Sequence, residues 1–292
     1  MTLSRHLVFP GFPALALITA CTMLPGAQGG QVAGGAPPAV TANVIPAPSY
    51  ATMADLVVAS PLVIDATIRS ATRIKGAEAA GVAPGNERYY VEADVIALIR
   101  GTEAIPARLG WLVDVAPDAT GRIAKLKKRR VLAFARPVAG MPGQVQLIAP
   151  GAQRDWSPAA DTLARRIATE ANAPSPPPVV TGVRSAFHVA GALPGEGETQ
   201  IFLTTADARP AALSVLRRPG EQPRWSVALS EIIDENAVAP ARETLLWYRL
   251  ACALPPALPA AATATLEAGD AAQARADYAF VIELLGPCDR NG

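Results

Sequence analysis

The sequence predicts an α+β protein, with a small antiparallel β-barrel followed by a β-meander and two C-terminal helices. Three observations predict it. Short alternating runs separated by Gly, Pro and Asp turns fill residues 62–148. Ala173-Pro174-Ser175-Pro176-Pro177-Pro178 is a stiff polyproline-type connector. Beyond it, further alternating runs give way to apolar residues at helical spacing.

Taken in order, Ala54–Ala59 predicts a short helix that Pro61 stops. Strand-like runs follow at Leu62–Arg69, Tyr89–Ile99, Arg108–Val115, Val131–Pro137 and Gln144–Ile148. In the second, Val91, Ala93, Val95, Ala97 and Ile99 share one face, with Glu92 and Asp94 on the other. Five such runs in about 100 residues are the pattern of a small barrel. Ser157-Pro158 opens a helix, with Ser as N-cap and Pro in the first turn, and Asp161 and Arg165 form an i,i+4 pair.

After the connector, Val183, Ser185, Phe187 and Val189 alternate with Arg184, Ala186 and His188. Gln200–Thr205, Ala212–Arg217 and Trp225–Leu229 continue an antiparallel meander. Pro240 starts a helix with Leu246, Leu250 and Leu254 at four-residue steps, ended by Pro255-Pro256. A second helix runs from about Asp270 to Leu285 before the Gly286-Pro287 stop. The expected organisation is a leader at 1–20, a tether at 21–49, a barrel domain at 50–155, helix and linker at 156–179, and an α+β domain at 180–292.

The leader carries Arg5 and His6, then an apolar stretch from Leu7 to Ala20, which is 14 residues long. A spanning helix needs about 20, so the length fits a signal-peptide core. The stretch ends in Ile18-Thr19-Ala20-Cys21, which resembles the lipobox of bacterial lipoproteins. That resemblance implies that Cys21 becomes the acylated first residue of an exported protein on the periplasmic side of the outer membrane. The alternatives are a soluble periplasmic or secreted chain, or a cysteine that merely follows an apolar run. Residues 22–49 hold no charged side chain and are rich in Gly, Pro and Ala, so they cannot bury enough apolar surface to fold. As a coil they span roughly 30 Å, enough to lift a domain off headgroups. With Cys21 set aside, Cys252 and Cys288 remain, either bridged in an oxidising compartment or as two buried thiols.

The series Ala54-Asp55-Leu56-Val57-Val58, Tyr90-Val91-Glu92, Ile99-Arg100-Gly101 and Arg130-Val131-Leu132-Ala133-Phe134-Ala135 resembles netrin-like modules of the OB-fold class. The resemblance covers residues 50–150, implies an OB-like barrel and suggests an inhibitor of an envelope hydrolase. It carries over no functional residue.

Catalytic sets are thin. His188 is the one histidine beyond the leader, which excludes sites needing two or three, and no G-x-S-x-G elbow accompanies it. It is expected on the outer face of a strand beside Arg184. Gly195-Glu196-Gly197-Glu198-Thr199 is Gly-rich without the Lys of a phosphate loop, and reads as a hairpin turn. Glu231, Asp234 and Glu235 cluster without the order of a calcium loop. The sharpest charge feature is Arg122, Lys125, Lys127, Lys128, Arg129 and Arg130. It is either a surface for an anionic lipid headgroup or acidic envelope partner, or a solvated turn into the following strand. The chain has 26 basic and 25 acidic side chains, and removing residues 1–20 takes away only Arg5, so the remainder balances. Near-zero charge argues against a general nucleic-acid binder. The reading that results is a lipid-anchored envelope protein that binds or scaffolds, not an enzyme, with no cofactor and no metal; an unrecognised hydrolase is the remaining alternative.

Overall fold

The helix predicted at Ala54–Ala59 begins earlier, as α1 (Tyr50–Ala59), because Ser49 caps it: its Oγ accepts from the Thr52 N–H at 3.2 Å. The computed structural model describes residues 48–230 and 237–290. They contain four α-helices and two antiparallel sheets, all within one compact unit. The far end of α1 is closed by a tertiary group. Arg100 Nη1 donates to the carbonyls of Val57, Val58 and Ser60, the last two at 3.2 Å, satisfying acceptors that the final turn leaves open.

The first sheet holds β1 (Leu62–Arg73), β2 (Glu87–Arg100), β3 (Arg108–Val115), β4 (Arg130–Pro137), β5 (Val145–Leu147) and β6 (Gln153–Asp155). Its order is β3-β2-β1-β4-β5, with β6 also on β4. The expected closed barrel is not what forms. The outer edge of β4 is divided between two three-residue strands, β5 at Ala135–Pro137 and β6 at Val131–Ala133. Neither offers β3 a full edge, and the sheet ends meet in one isolated parallel bridge, Gly110 with Gln144. Glycine is required there: a Cβ on Gly110 would stand 2.1 Å from the Tyr90 hydroxyl lying across it.

The single-face reading of β2 is also corrected. The pairing of β1 with β2 skips Ile96 and Ile99, and each bulge turns the following residues over. Val91, Ala93 and Val95 pack on the first core as expected, but past the bulges Leu98 joins them while Ile99 packs on the other core. β4 is buried on both faces: Val131, Ala133 and Ala135 pack with Ile64, Ile68 and Trp111, while Leu132 and Phe134 face a second core.

That second core is shared. It joins Met53 of α1, Leu132 and Phe134 of β4 and Ile167 of α2 (Pro158–Ala171) to the second sheet and the last two helices. The second sheet is a meander ordered β10-β9-β8-β7, comprising β7 (Val180–Ala190), β8 (Gly197–Thr205), β9 (Ala212–Arg217) and β10 (Arg224–Ala228). Ile201, Leu203, Leu213 and Val215 point from it towards Tyr278, Val281 and Leu285 of α4 (Ala268–Leu285).

Pro240 does not start a helix. Glu243 has φ 57°, in the left-handed region, so α3 begins only at Leu245 (Leu245–Ala251). Thr244 Oγ1 accepts from the Trp247 N–H at 3.2 Å, and Glu170 of α2 accepts from the Leu245 N–H at 2.5 Å. Cys252, just past α3, and Cys288, just past α4, stand at disulfide distance, with S–S 2.06 Å and Cα–Cα 4.9 Å. No helix among the described residues is long and apolar enough to cross a membrane.

Candidate functional site

The second sheet packs one face on the core, and the other carries hollows that Ser230, Ala237 and Val238 also border among the described residues. β8 and β9 send Thr199, Ile201, Leu203, Leu213 and Val215 to the core, and period-two alternation sends Glu198, Gln200, Phe202 and Ser214 outward. No helix among the described residues covers that outer side. A hollow of about 530 Å³ lies on it, lined by Arg184, Glu198, Gln200, Phe202, Ser214 and Ser226 among others. A second of about 490 Å³ adjoins it, with Phe187, Val189 and Leu216 in its wall and Glu198 common to both.

The polar centre of this face is organised by hydrogen bonds within the sheet. Glu198 Oε1 accepts from Gln200 Nε2 and from Ser214 Oγ, both at 3.0 Å. The Arg184 guanidinium lies 5.7 Å from the Phe202 ring centroid, within cation–π range. Phe187 and Val189 are each 49 % exposed. A held carboxylate, an amide and two hydroxyls between apolar flanks can grip a ligand presenting both polar and apolar groups. Among the described residues there is no cluster of three or more His, Cys, Asp or Glu fit to hold a metal.

The face was partly hidden from the sequence because β7 is turned over. Its pairing with β8 skips Thr181 and Arg184, so Ala186 is buried and Phe187 and Val189 point out, the reverse of simple alternation. His188 consequently points inward, not to an outer face. Its Nδ1 lies 2.8 Å from Thr199 Oγ1, and that hydroxyl donates to Asp277 Oδ2 of α4 at 2.5 Å. Arg217 Nε and Gln273 Nε2 donate to the other Asp277 oxygen at 2.5 and 3.1 Å. Thr199 and Asp277 are fully buried, and this chain of polar groups ties the sheet to α4. The Gly195 stretch is a turn into β8, with Gly195 at φ 83°.

The basic run is split. Arg130 grips the buried Asp65 through Nε and Nη2, at 2.9 and 2.6 Å, and lies 3.8 Å over the Trp156 ring. This hydrogen bonding holds the Arg130 guanidinium above its ordinary value. Arg129 pairs with Asp155, and the Arg122 backbone N–H is taken by Asp118 at 3.0 Å. Lys125, Lys127 and Lys128 remain exposed on the loop. Cys21, Glu231, Asp234 and Glu235 lie outside the described residues.

The sequence matches no protein-family model and no curated protein.

Proposed function

We propose that this chain is an exported, lipid-anchored envelope protein that acts by binding or scaffolding, and that the outer face of its second sheet is the binding surface. The observation that carries the proposal is a four-stranded sheet packed on helices from one side and, on the other, presenting the Glu198–Gln200–Ser214 cluster between exposed apolar side chains. Anchoring rests on the lipobox-like Ile18–Cys21 and the uncharged stretch after it. The test is site-specific photo-cross-linking in native membranes from Gln200 and, as a control, from Thr169 on α2. One recurrent envelope component captured from Gln200 and not from Thr169 supports the proposal. Equal capture at both positions, or none at either, overturns it.

A second reading rests on the first sheet. The order β3-β2-β1-β4-β5 and the parallel bridge between Gly110 and Gln144 support a partly open, OB-like arrangement of residues 50–155. With the netrin-like resemblance, that arrangement supports inhibition of an envelope hydrolase. Assaying the full chain against envelope proteases decides it: inhibition of one favours this reading, and none across the panel removes it.

A further inference from the structure

We infer that the loop between β3 and β4 docks on the anionic headgroups of a lipid membrane. Leu126 is its buried anchor, 5 % exposed, and it directs its neighbours Lys125 and Lys127 outward. Lys128 follows with φ 71°, its N–H donating to the Ile68 carbonyl at 2.7 Å, and the Arg129 N–H closes the turn on the Leu126 carbonyl at 3.1 Å. The loop is thus pinned to β1 through its backbone while three ammonium groups splay into solvent.

Among the described residues, none of these lysines has a carboxylate partner. Three nearby guanidiniums do: Arg73 with Glu87, Arg129 with Asp155 and Arg130 with Asp65. Cations that serve the fold are therefore neutralised, and those of the loop tip are not. The tip also surrounds a hollow of about 420 Å³ whose wall includes Ala71, Tyr89, Ile123, Ala124 and Leu126. Cationic heads around an apolar recess match a surface that is anionic outside and apolar beneath, as a bilayer is.

The inference rests on the anchored reading, in which the uncharged tether of roughly 30 Å keeps the folded unit within reach of a membrane. Its test does not depend on acylation. The chain from residue 22 onward, without the apolar leader and without Cys21, is compared with the same chain carrying Lys125→Gln, Lys127→Gln and Lys128→Asn. Asparagine tolerates the left-handed backbone at 128. Both are mixed with vesicles of phosphatidylglycerol and phosphatidylcholine, or of phosphatidylcholine alone. At about fivefold per basic residue near an anionic surface, the substitutions should weaken partitioning onto phosphatidylglycerol vesicles about a hundredfold, and added salt should abolish the difference. Equal partitioning of the two proteins, or equal partitioning of the parent onto both vesicle types, overturns the inference. Anchoring is judged separately, by the intact mass of the native protein.

Discussion

The hydroxyl of Thr199 shows how much one buried atom can hold. It donates to Asp277 and meets His188, linking β8, α4 and β7. Thr199→Val keeps the shape and strips that donor from a buried carboxylate oxygen, so denaturant unfolding should show a loss of about 1–3 kcal/mol. Thr199→Ser should recover most of it; if Val and Ser behave alike, the hydroxyl is not the cause. Asp55 makes a comparable link between α1 and the C-terminal segment, accepting from Arg290 at 2.7 Å and from Tyr248 Oη at 2.6 Å. Partial burial works to raise the Asp55 pKa, but the Arg290 and Tyr248 hydrogen bonds outweigh it and hold the carboxyl below its ordinary value. Burial and the same carboxylate push Tyr248 up to about 12. A depressed carboxylate stabilises the fold fully above its unfolded pKa, near 4, and loses that contribution as pH falls through the lower folded value. Stability should therefore drop below about pH 4, and Asp55→Asn should flatten that limb; an unchanged slope would remove the assignment.

Helix ends give the next set of predictions. Ser157 Oγ accepts from the Ala160 N–H at 3.1 Å, and Ser157→Ala should cost about 1 kcal/mol in thermal or denaturant unfolding. Cys252 and Cys288 stand at disulfide distance with a sequence separation of 36, where a bridge would hold the ends of α3 and α4 together. In the entropic account, reduction should destabilise the fold by roughly 3–4 kcal/mol, read from denaturant midpoints with and without reductant. Elements whose ends carry local chemical signals were legible at this level. Ser157-Pro158 and Gly286-Pro287 predicted where α2 starts and α4 stops. Pro240 misled because a left-handed Glu243 interrupts the chain before Thr244 caps α3.

Over the molecule as a whole, both sheets share one core through Met53, Phe134, Ile167, Ile201 and Tyr278. A residue at that junction should matter to both. Met53 is fully buried, and Met53→Ala should cost about 2–5 kcal/mol. Loss should register together at Trp111 in the first sheet and Trp225 in the second, followed in single-tryptophan variants; separate midpoints would mean that the two sheets do not share their stability.

The α+β class, nine of the ten strands, the start of α2 and the stop of α4 could be read along the chain, because each depends on neighbours a few residues apart; the three-residue β6 carries no such pattern. The facing of the second half of β2, the turned-over face of β7 and the inward turn of His188 could not be read this way. They follow from bulges at Ile96, Ile99, Thr181 and Arg184, and a single skipped residue exchanges the two faces of a strand without changing its composition. The same holds for the candidate surface. Glu198 and Ser214 meet only because β8 and β9 pair in register, and Thr199 meets Asp277 across 78 residues of sequence, a contact that packing creates and no local pattern encodes.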